Sequence, residues 1–205
     1  MAPYLKRLEE EGIAVSERPL DAPEGSRKRR YRLSDPFWAF WFSCVLPVRS
    51  ALVAGDPWTA WREGVRPRLE GHLERWLPMA AREWFRDHAA ERLPAASRRL
   101  GGLWGEEAEF DLVAWLTNGQ VCYVDTVWTD EPVGAEILAD LLARMQRSRY
   151  GIGREARAPI LVVSGPVEES LRRRVAAAPL ATLITLEDLM GSTRGAGPRK
   201  GGSGG

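Results

Sequence analysis

The sequence predicts an α/β fold with a mixed sheet flanked by helices, and three observations carry that reading. From about residue 100 the helical period gives way to short runs with strand-like alternation. Two of these runs, Ala108 to Leu116 and Val121 to Val127, are joined through Asn118-Gly119, a strong hairpin signal. After them, amphipathic and short apolar segments alternate, as they do when helices cross over a sheet.

Taken in order, Pro3 to Glu11 is helical in pattern, with Leu5 and Leu8 apolar and Gly12 placed as a C-cap. Ile13 to Glu17 alternates, Pro19 to Ser26 is a loop, and Arg29 to Leu33 reads as a returning strand. Helix, strand, loop and strand make the back half of a winged helix, so residues 1–35 are expected to be a partial winged helix. Its first residue falls where a recognition helix would already be under way. Ser34 or Asp35 caps the next helix, with Pro36 in its first turn. That helix, Phe37 to Leu46, is apolar nearly all round and is expected to be buried. Asp56-Pro57 starts a short connecting helix, which makes residues 36–68 a helical linker. An α/β domain is expected over 69–190. It opens with a long helix, Leu69 to Ala90, whose buried face carries Leu73, Leu77, Ala80, Trp84 and Phe85. Pro78 is expected to break or kink that helix. Leu100 to Trp104 and the hairpin supply three strands. Val133 to Arg149 (helix), Pro159 to Ser164 (strand), Val167 to Ala177 (helix), Thr182 to Thr185 (strand) and a helical turn at Leu186 to Met190 follow. The tail, 191–205, is Gly, Arg and Lys rich and is expected to be disordered, with Gly201 to Gly205 resembling linker.

The chain has 205 residues, 44% of them hydrophobic and 28% charged, which suits one good-sized domain with a small appendage. A formal net charge of +1 gives no global basic field, so any nucleic-acid binding has to come from a local patch. The only cysteines, Cys44 and Cys122, lie in apolar runs and read as buried thiols of a cytoplasmic protein. Neither His72 nor His88 has a cysteine near it in sequence, which argues against zinc. No signal peptide is visible. The longest apolar run, Phe37 to Val48, falls short of a membrane span, so no membrane partner is expected. The nine tryptophans read mainly as core.

The chemistry-bearing residues concentrate in the hairpin. Alternation puts Glu109 and Asp111 on one face of the first strand, with Phe110 on the other. It puts Asp125 with Val127, opposite Val124 and Thr126. Across the hairpin Asp111 and Asp125 are expected to approach each other, and with Glu109 they are the candidate ligands of a Mg²⁺ ion. Phosphodiester cleavage also needs a cation beside the attacking water, and Val127 stands where a lysine would supply it. The densest positive run, Arg27, Lys28, Arg29, Arg30 and Arg32, sits on the expected wing and is the candidate DNA contact. Its alternative partner is the acidic run Glu9-Glu10-Glu11. The Trp38, Trp41 and Phe42 cluster reads as core or interface, hence as a surface for a protein partner or for self-association.

Several strings point to one family. They are Tyr4-Leu5-Lys6-Arg7-Leu8-Glu9 before Gly12-Ile13, Tyr31 to Phe37, Phe40-Trp41-Phe42, Glu109 to Ala114, and Trp128-Thr129-Asp130 before Pro132-Val133-Gly134. Over residues 3 to about 190 the chain resembles the C-terminal region of archaeal-type AAA ATPases, a winged helix followed by a PD-(D/E)xK restriction-endonuclease-like domain of unknown function. The resemblance implies an active site that this chain has partly lost. The family tends to carry Phe-Glu where Leu77-Pro78 stands, and Glu-x-Lys where Asp125-Thr126-Val127 stands. No GxxxxGK[ST] occurs, so ATP binding does not carry over.

The expected function is therefore a degenerate, non-catalytic nuclease-fold module that binds DNA or a protein, with Asp111 and Asp125 as vestigial catalytic positions and no cofactor required. Two alternatives stand beside it. One is a Mg²⁺-dependent endonuclease whose cation is supplied elsewhere, by an arginine for instance. The other is an ATPase fragment without independent activity.

Overall fold

The computed structural model describes residues 3–23, 25–93, 95–105, 108–148, 150 and 156–193. Helix α1 (Pro3–Glu10) closes at Gly12, whose φ of +71° is the left-handed conformation that ends a helix without a Cβ clash. Strands β1 (Ala14–Glu17) and β2 (Arg30–Leu33) pair antiparallel, with Ala14 opposite Leu33 and Glu17 opposite Arg30. The loop between them runs along the main sheet, because the Leu20 amide donates to the Gly102 carbonyl at 2.9 Å.

Asp35 caps α2 (Pro36–Phe40) by accepting from the Phe37 amide at 2.7 Å, with Pro36 in the first turn. The helix then passes through a π turn (Trp41–Val45) and a 3₁₀ turn (Leu46–Val48) into α3 (Arg49–Val53). Against expectation, this stretch is not buried. Cys44 is its buried residue, whereas Phe37, Trp38 and Phe42 are 58%, 49% and 51% exposed. An all-apolar helix needs cover on every side, and in this fold the neighbouring elements cover it only in part. The helical stretch also outruns the apolar run seen in sequence: Pro36–Val53 spans 18 residues and by length and composition alone is long enough to cross a membrane.

The returning helix starts at Pro57. Asp56 accepts from the Thr59 amide at 3.0 Å and caps α4 (Pro57–Thr59), which continues through a second π turn (Ala60–Val65) into α5 (Arg66–Arg92). Gly64 lets the two helical arms approach closely, since a Cβ there would stand 2.0 Å from Val48 Cγ1. Pro78 does not break α5. Leu77, Ala81, Trp84 and Phe85 are buried against the sheet around it, and that packing outweighs one missing backbone hydrogen bond. Ala81, not Ala80, holds the buried position.

The main sheet runs β3 (Ser97–Leu103), β4 (Phe110–Leu116), β5 (Val121–Val127), β6 (Arg157–Val163) and β7 (Thr182–Thr185), in that spatial order. β3–β4 and β4–β5 pair antiparallel, whereas β5–β6 and β6–β7 pair parallel. Gly119 sits at φ +89° in the β4–β5 turn, as the Asn-Gly signal requires. Crossover helices α6 (Glu136–Arg147) and α7 (Glu169–Ala177) cover one face. Helix α5 and α8 (Leu186–Thr193) cover the other. The sequence places the start of α6 at Val133, but Val133 instead makes an isolated parallel bridge to Val167. Residues 191–193 belong to α8, and the rest of the expected disordered tail, 194–205, lies outside the described residues.

Core residues alternate by face. Leu112, Ala114, Cys122 and Val124 pack under α5, and Val113, Val121 and Tyr123 pack under α6. Burial pushes the Cys122 thiol up to about 12, so it is an inert packing group. Of the nine tryptophans Trp84 is buried in the core and Trp115 and Trp128 pack half-buried against it, whereas Trp38, Trp58 and Trp61 are exposed.

The close approach of the helical arms has a measurable consequence. Gly64→Ala is expected to destabilise by about 1–3 kcal/mol through overpacking on Val48, with partial rescue by Val48→Ala. Gly71→Ala, whose Cβ would meet only Arg75 Nη1 at 3.6 Å, is expected to gain about 0.5–1 kcal/mol from helix propensity. Urea midpoints of the parent and these variants check this.

Candidate functional site

A cavity of about 380 Å³ opens between the β1–β2 hairpin, the middle of α5 and the start of β4. Its walls include Arg30, Arg32, Arg75 and Arg82 on the basic side and Glu17, Glu109 and Asp111 on the acidic side. Pro78, Met79 and Trp104 complete the apolar part. Most of these charges neutralise one another. Arg32 and Arg82 both bind Glu17, at 3.2 and 2.8 Å. Arg30 binds Glu109 at 2.9 Å and lies 4.7 Å from the Trp104 ring centre.

Asp111 reaches this cleft because β4 is irregular at its start. Leu103 pairs with Phe110 but Gly101 pairs with Val113, so β4 spends one residue more than β3 over that interval. The bulge breaks the alternation expected from sequence. Phe110 joins Val113 and Tyr123 in the core under α6, and Asp111 turns to the α5 side. There its Oδ2 accepts from the Thr126 amide at 2.9 Å and from the Thr126 hydroxyl at 2.6 Å.

Asp125 goes the other way. It alternates with Thr126, shares its face with Tyr123, and meets Arg144 of α6. The pairing is bidentate: Arg144 Nη1 donates to Oδ1 at 3.2 Å and Nη2 donates to Oδ2. Arg144 also donates to Asp140 at 2.9 Å and to the Glu109 carbonyl at 3.0 Å, and lies 5.5 Å from the Phe110 ring centre. Burial pushes the Asp125 carboxyl above the ordinary carboxylate range, against the downward pull of the Arg144 hydrogen bonds and charge. The guanidinium moves up as well, because its bonds to Asp125 and Asp140 outweigh its desolvation. Val127 packs against the apolar core under α6.

The structure therefore does not bring Glu109, Asp111 and Asp125 together. Glu109 is held by Arg30, Asp111 by Thr126 and Asp125 by Arg144, and the two aspartates stay near enough for the Asp111 charge to help raise Asp125. Among the described residues no three His, Cys, Asp or Glu side chains cluster as a metal site would require. As placed here, Glu109, Asp111 and Asp125 do not offer one ion a common set of ligands, and no chemical step through a metal is drawn from them.

The basic run also divides. Arg30 and Arg32 turn inward onto Glu109 and Glu17. Arg27 and Lys28 are exposed, Arg29 is half-buried, and none of the three makes an ion pair among the described residues. The acidic run does not reach them, because Glu10 pairs with Lys6 at 3.4 Å and Glu11 with Arg7 at 2.9 Å. Sequence reasoning missed Thr126, Arg144, Arg75 and Arg82. The one local signal was Arg144 four residues after Asp140 on a helix, an ordinary intrahelical pair that says nothing about Asp125.

No family model matches the chain. No solved structure matches it either. The chain is similar to the uncharacterized protein MJECL04 of Methanocaldococcus jannaschii, 28% identical over 134 residues. That match covers 63% of this chain but 29% of the relative, so the chain spans less than a third of that protein's length.

Arg144→Met is expected to cost about 3–5 kcal/mol, because it leaves Asp125 buried and unpaired, and Asp125→Asn in the same chain should recover most of it. The pH dependence has a definite sign. A carboxyl whose folded pKa exceeds its unfolded value, about 3.9, favours folding when protonated. The single variant should thus lose stability relative to the double variant as pH rises from about 4 through the raised pKa. Urea titrations of both variants between acid and neutral pH check this.

Proposed function

We propose that the chain is a PD-(D/E)xK-like module with a degenerate centre, related to the C-terminal region of archaeal-type AAA ATPases, that binds DNA without cutting it. One observation carries the reading: Asp111 and Asp125 lie on opposite faces of the sheet, each closed by its own partner. The element order α5, β3, β4, β5, α6, β6, with two antiparallel pairings followed by a parallel crossover, supports the nuclease-like frame. Chemistry at that frame needs a metal held by convergent carboxylates and a cation beside them. Here Val127 is packed in apolar contact, and Arg30, Arg32, Arg82 and Arg144 are spent on Glu109, Glu17 and Asp125, which leaves Arg75 as the cleft-lining guanidinium without an ion pair among the described residues.

Binding rests on the part of the basic run that the fold leaves unspent. Arg27 and Lys28 are exposed and Arg29 half-buried just before β2, and together they suit sequence-independent phosphate contact. A second reading, a protein interface, is favoured by the exposed apolar helix, where Trp38 is joined by Val53 and Trp58 at 79% and 78% exposure.

Anisotropy of a short labelled duplex, titrated across KCl concentrations, tests the first reading. Binding should weaken steeply with salt, and the triple variant R27E/K28E/R29E should flatten the slope by about 0.9 for each phosphate it no longer neutralises. Plasmid DNA should stay intact in Mg²⁺ or Mn²⁺. Metal-dependent cleavage abolished by Asp111→Ala would sink the proposal, and so would no duplex binding at low salt.

A further inference from the structure

Beside the cleft lies a second lobe with a different chemistry. It is a cavity of about 430 Å³ between β2, the π turn Trp41–Val45 and α5. It shares Arg32, Arg75 and Met79 with the cleft, and Phe42, Ser43, His72 and Trp76 complete the working part of its wall. The cleft has three carboxylates in its wall and this lobe has none. Arg75 is exposed and makes no ion pair among the described residues. Arg32 stands beside it, 3.2 Å from Glu17 and 5.6 Å from the Trp76 ring centre. The lobe thus keeps one cation, Arg75, that has no ion-pair partner among the described residues.

Its other side is aromatic. Phe42 is half exposed on the π turn, where one extra residue per turn re-aims the side chains that follow. His72 is buried with its ring 5.6 Å from Phe40 and 6.1 Å from Trp76. Burial, reinforced by the Arg75 charge, holds its pKa below the ordinary value, so at neutral pH it adds no charge. The result is an open pocket of ligand size whose wall carries the Phe42, His72 and Trp76 rings and the Arg75 guanidinium.

We propose that this lobe binds a phosphorylated nucleoside, free or as the terminal unit of a strand, with the base between Phe42 and Trp76 and the phosphate on Arg75. Stacking on aromatic faces tolerates any base, and guanidinium is the group best matched to a phosphate. The site uses none of Arg27, Lys28 or Arg29, so it stands or falls apart from duplex binding.

Calorimetric titration of the full chain with AMP, adenosine, and an oligothymidylate with and without its 5′-phosphate tests this. AMP should bind and adenosine should not. Arg75→Glu should weaken AMP at least about tenfold, with Arg75→Gln intermediate, as loss of a charge-assisted phosphate hydrogen bond predicts. Phe42→Ala should weaken it at least about fivefold. The R27E/K28E/R29E variant should bind AMP as the parent does. Binding of the 5′-phosphorylated strand alone, with the same dependence on Arg75, supports the strand-end source; AMP binding supports the free nucleotide. The inference is overturned if neither AMP nor the phosphorylated strand binds, if adenosine equals AMP, or if both Arg75 variants match the parent. Duplex binding that survives any of those results would leave the DNA-binding reading standing.

Discussion

The Asp125–Arg144 pair is the interaction on which the arrangement of this sheet turns. β5 is the central strand, paired antiparallel on one side and parallel on the other, with four buried residues before Asp125. A carboxylate entering such a strand must be paired or protonated. Arg144 meets it from α6, and the same guanidinium reaches the Glu109 carbonyl just before β4. One side chain therefore ties the crossover helix to both strands of the hairpin. The need to cover Asp125 also removes it from any shared site, because its charge is met on the α6 face while Asp111 is turned by the bulge toward α5.

The same pairing logic governs the cleft. Glu17 holds Arg32 and Arg82, and Arg82 also donates to the Leu100 carbonyl at 3.3 Å. Three elements, the β1–β2 hairpin, α5 and β3, are thereby joined by half-buried charges. Such charges are specific in geometry and modest in net energy, so they fix how the hairpin seats more than how strongly the chain folds. What they leave over defines the available chemistry. Among the described residues of this region, Arg75 inside the groove and Arg27, Lys28 and Arg29 outside it are cations without an ion pair. That division suits two modes of anion binding on different surfaces.

The α/β core is legible in the sequence because its signals there are local. Val121–Val127 is an unbroken strand pattern, Asn118-Gly119 is a turn with a steric reason, and Asp35-Pro36 is a cap with its own hydrogen bond. The site is less legible because it depends on one residue of register. Strict alternation would put Asp111 beside Asp125, but the bulge between Phe110 and Val113 flips it, and nothing in Glu109-Phe110-Asp111-Leu112 announces a bulge. Arg144 is invisible for another reason: its partner lies 19 residues away and meets it only after the chain turns from β5 into α6. Ala81 replacing Ala80 on the buried face of α5 is the helical counterpart, a shift of one position that composition does not resolve.

The apolar stretch Pro36–Val53 shows why a segment read as a linker is more than one. A buried helix has a single job, but this one divides its surface among three. Cys44 and Val48 pack toward the returning arm, where Gly64 removes the Cβ that would clash. Phe42 and Ser43 turn to the lobe shared with α5 and β2. Phe37 and Trp38, 6.0 Å apart edge to face, stay in solvent. A regular α-helix repeats its faces every 3.6 residues, and the π turn between Trp41 and Val45 interrupts that repeat between the outward aromatics and the inward Cys44. The π turn thus lets one short helix serve packing and cavity at once, and the lobe it walls holds Arg75, a guanidinium without an ion pair among the described residues.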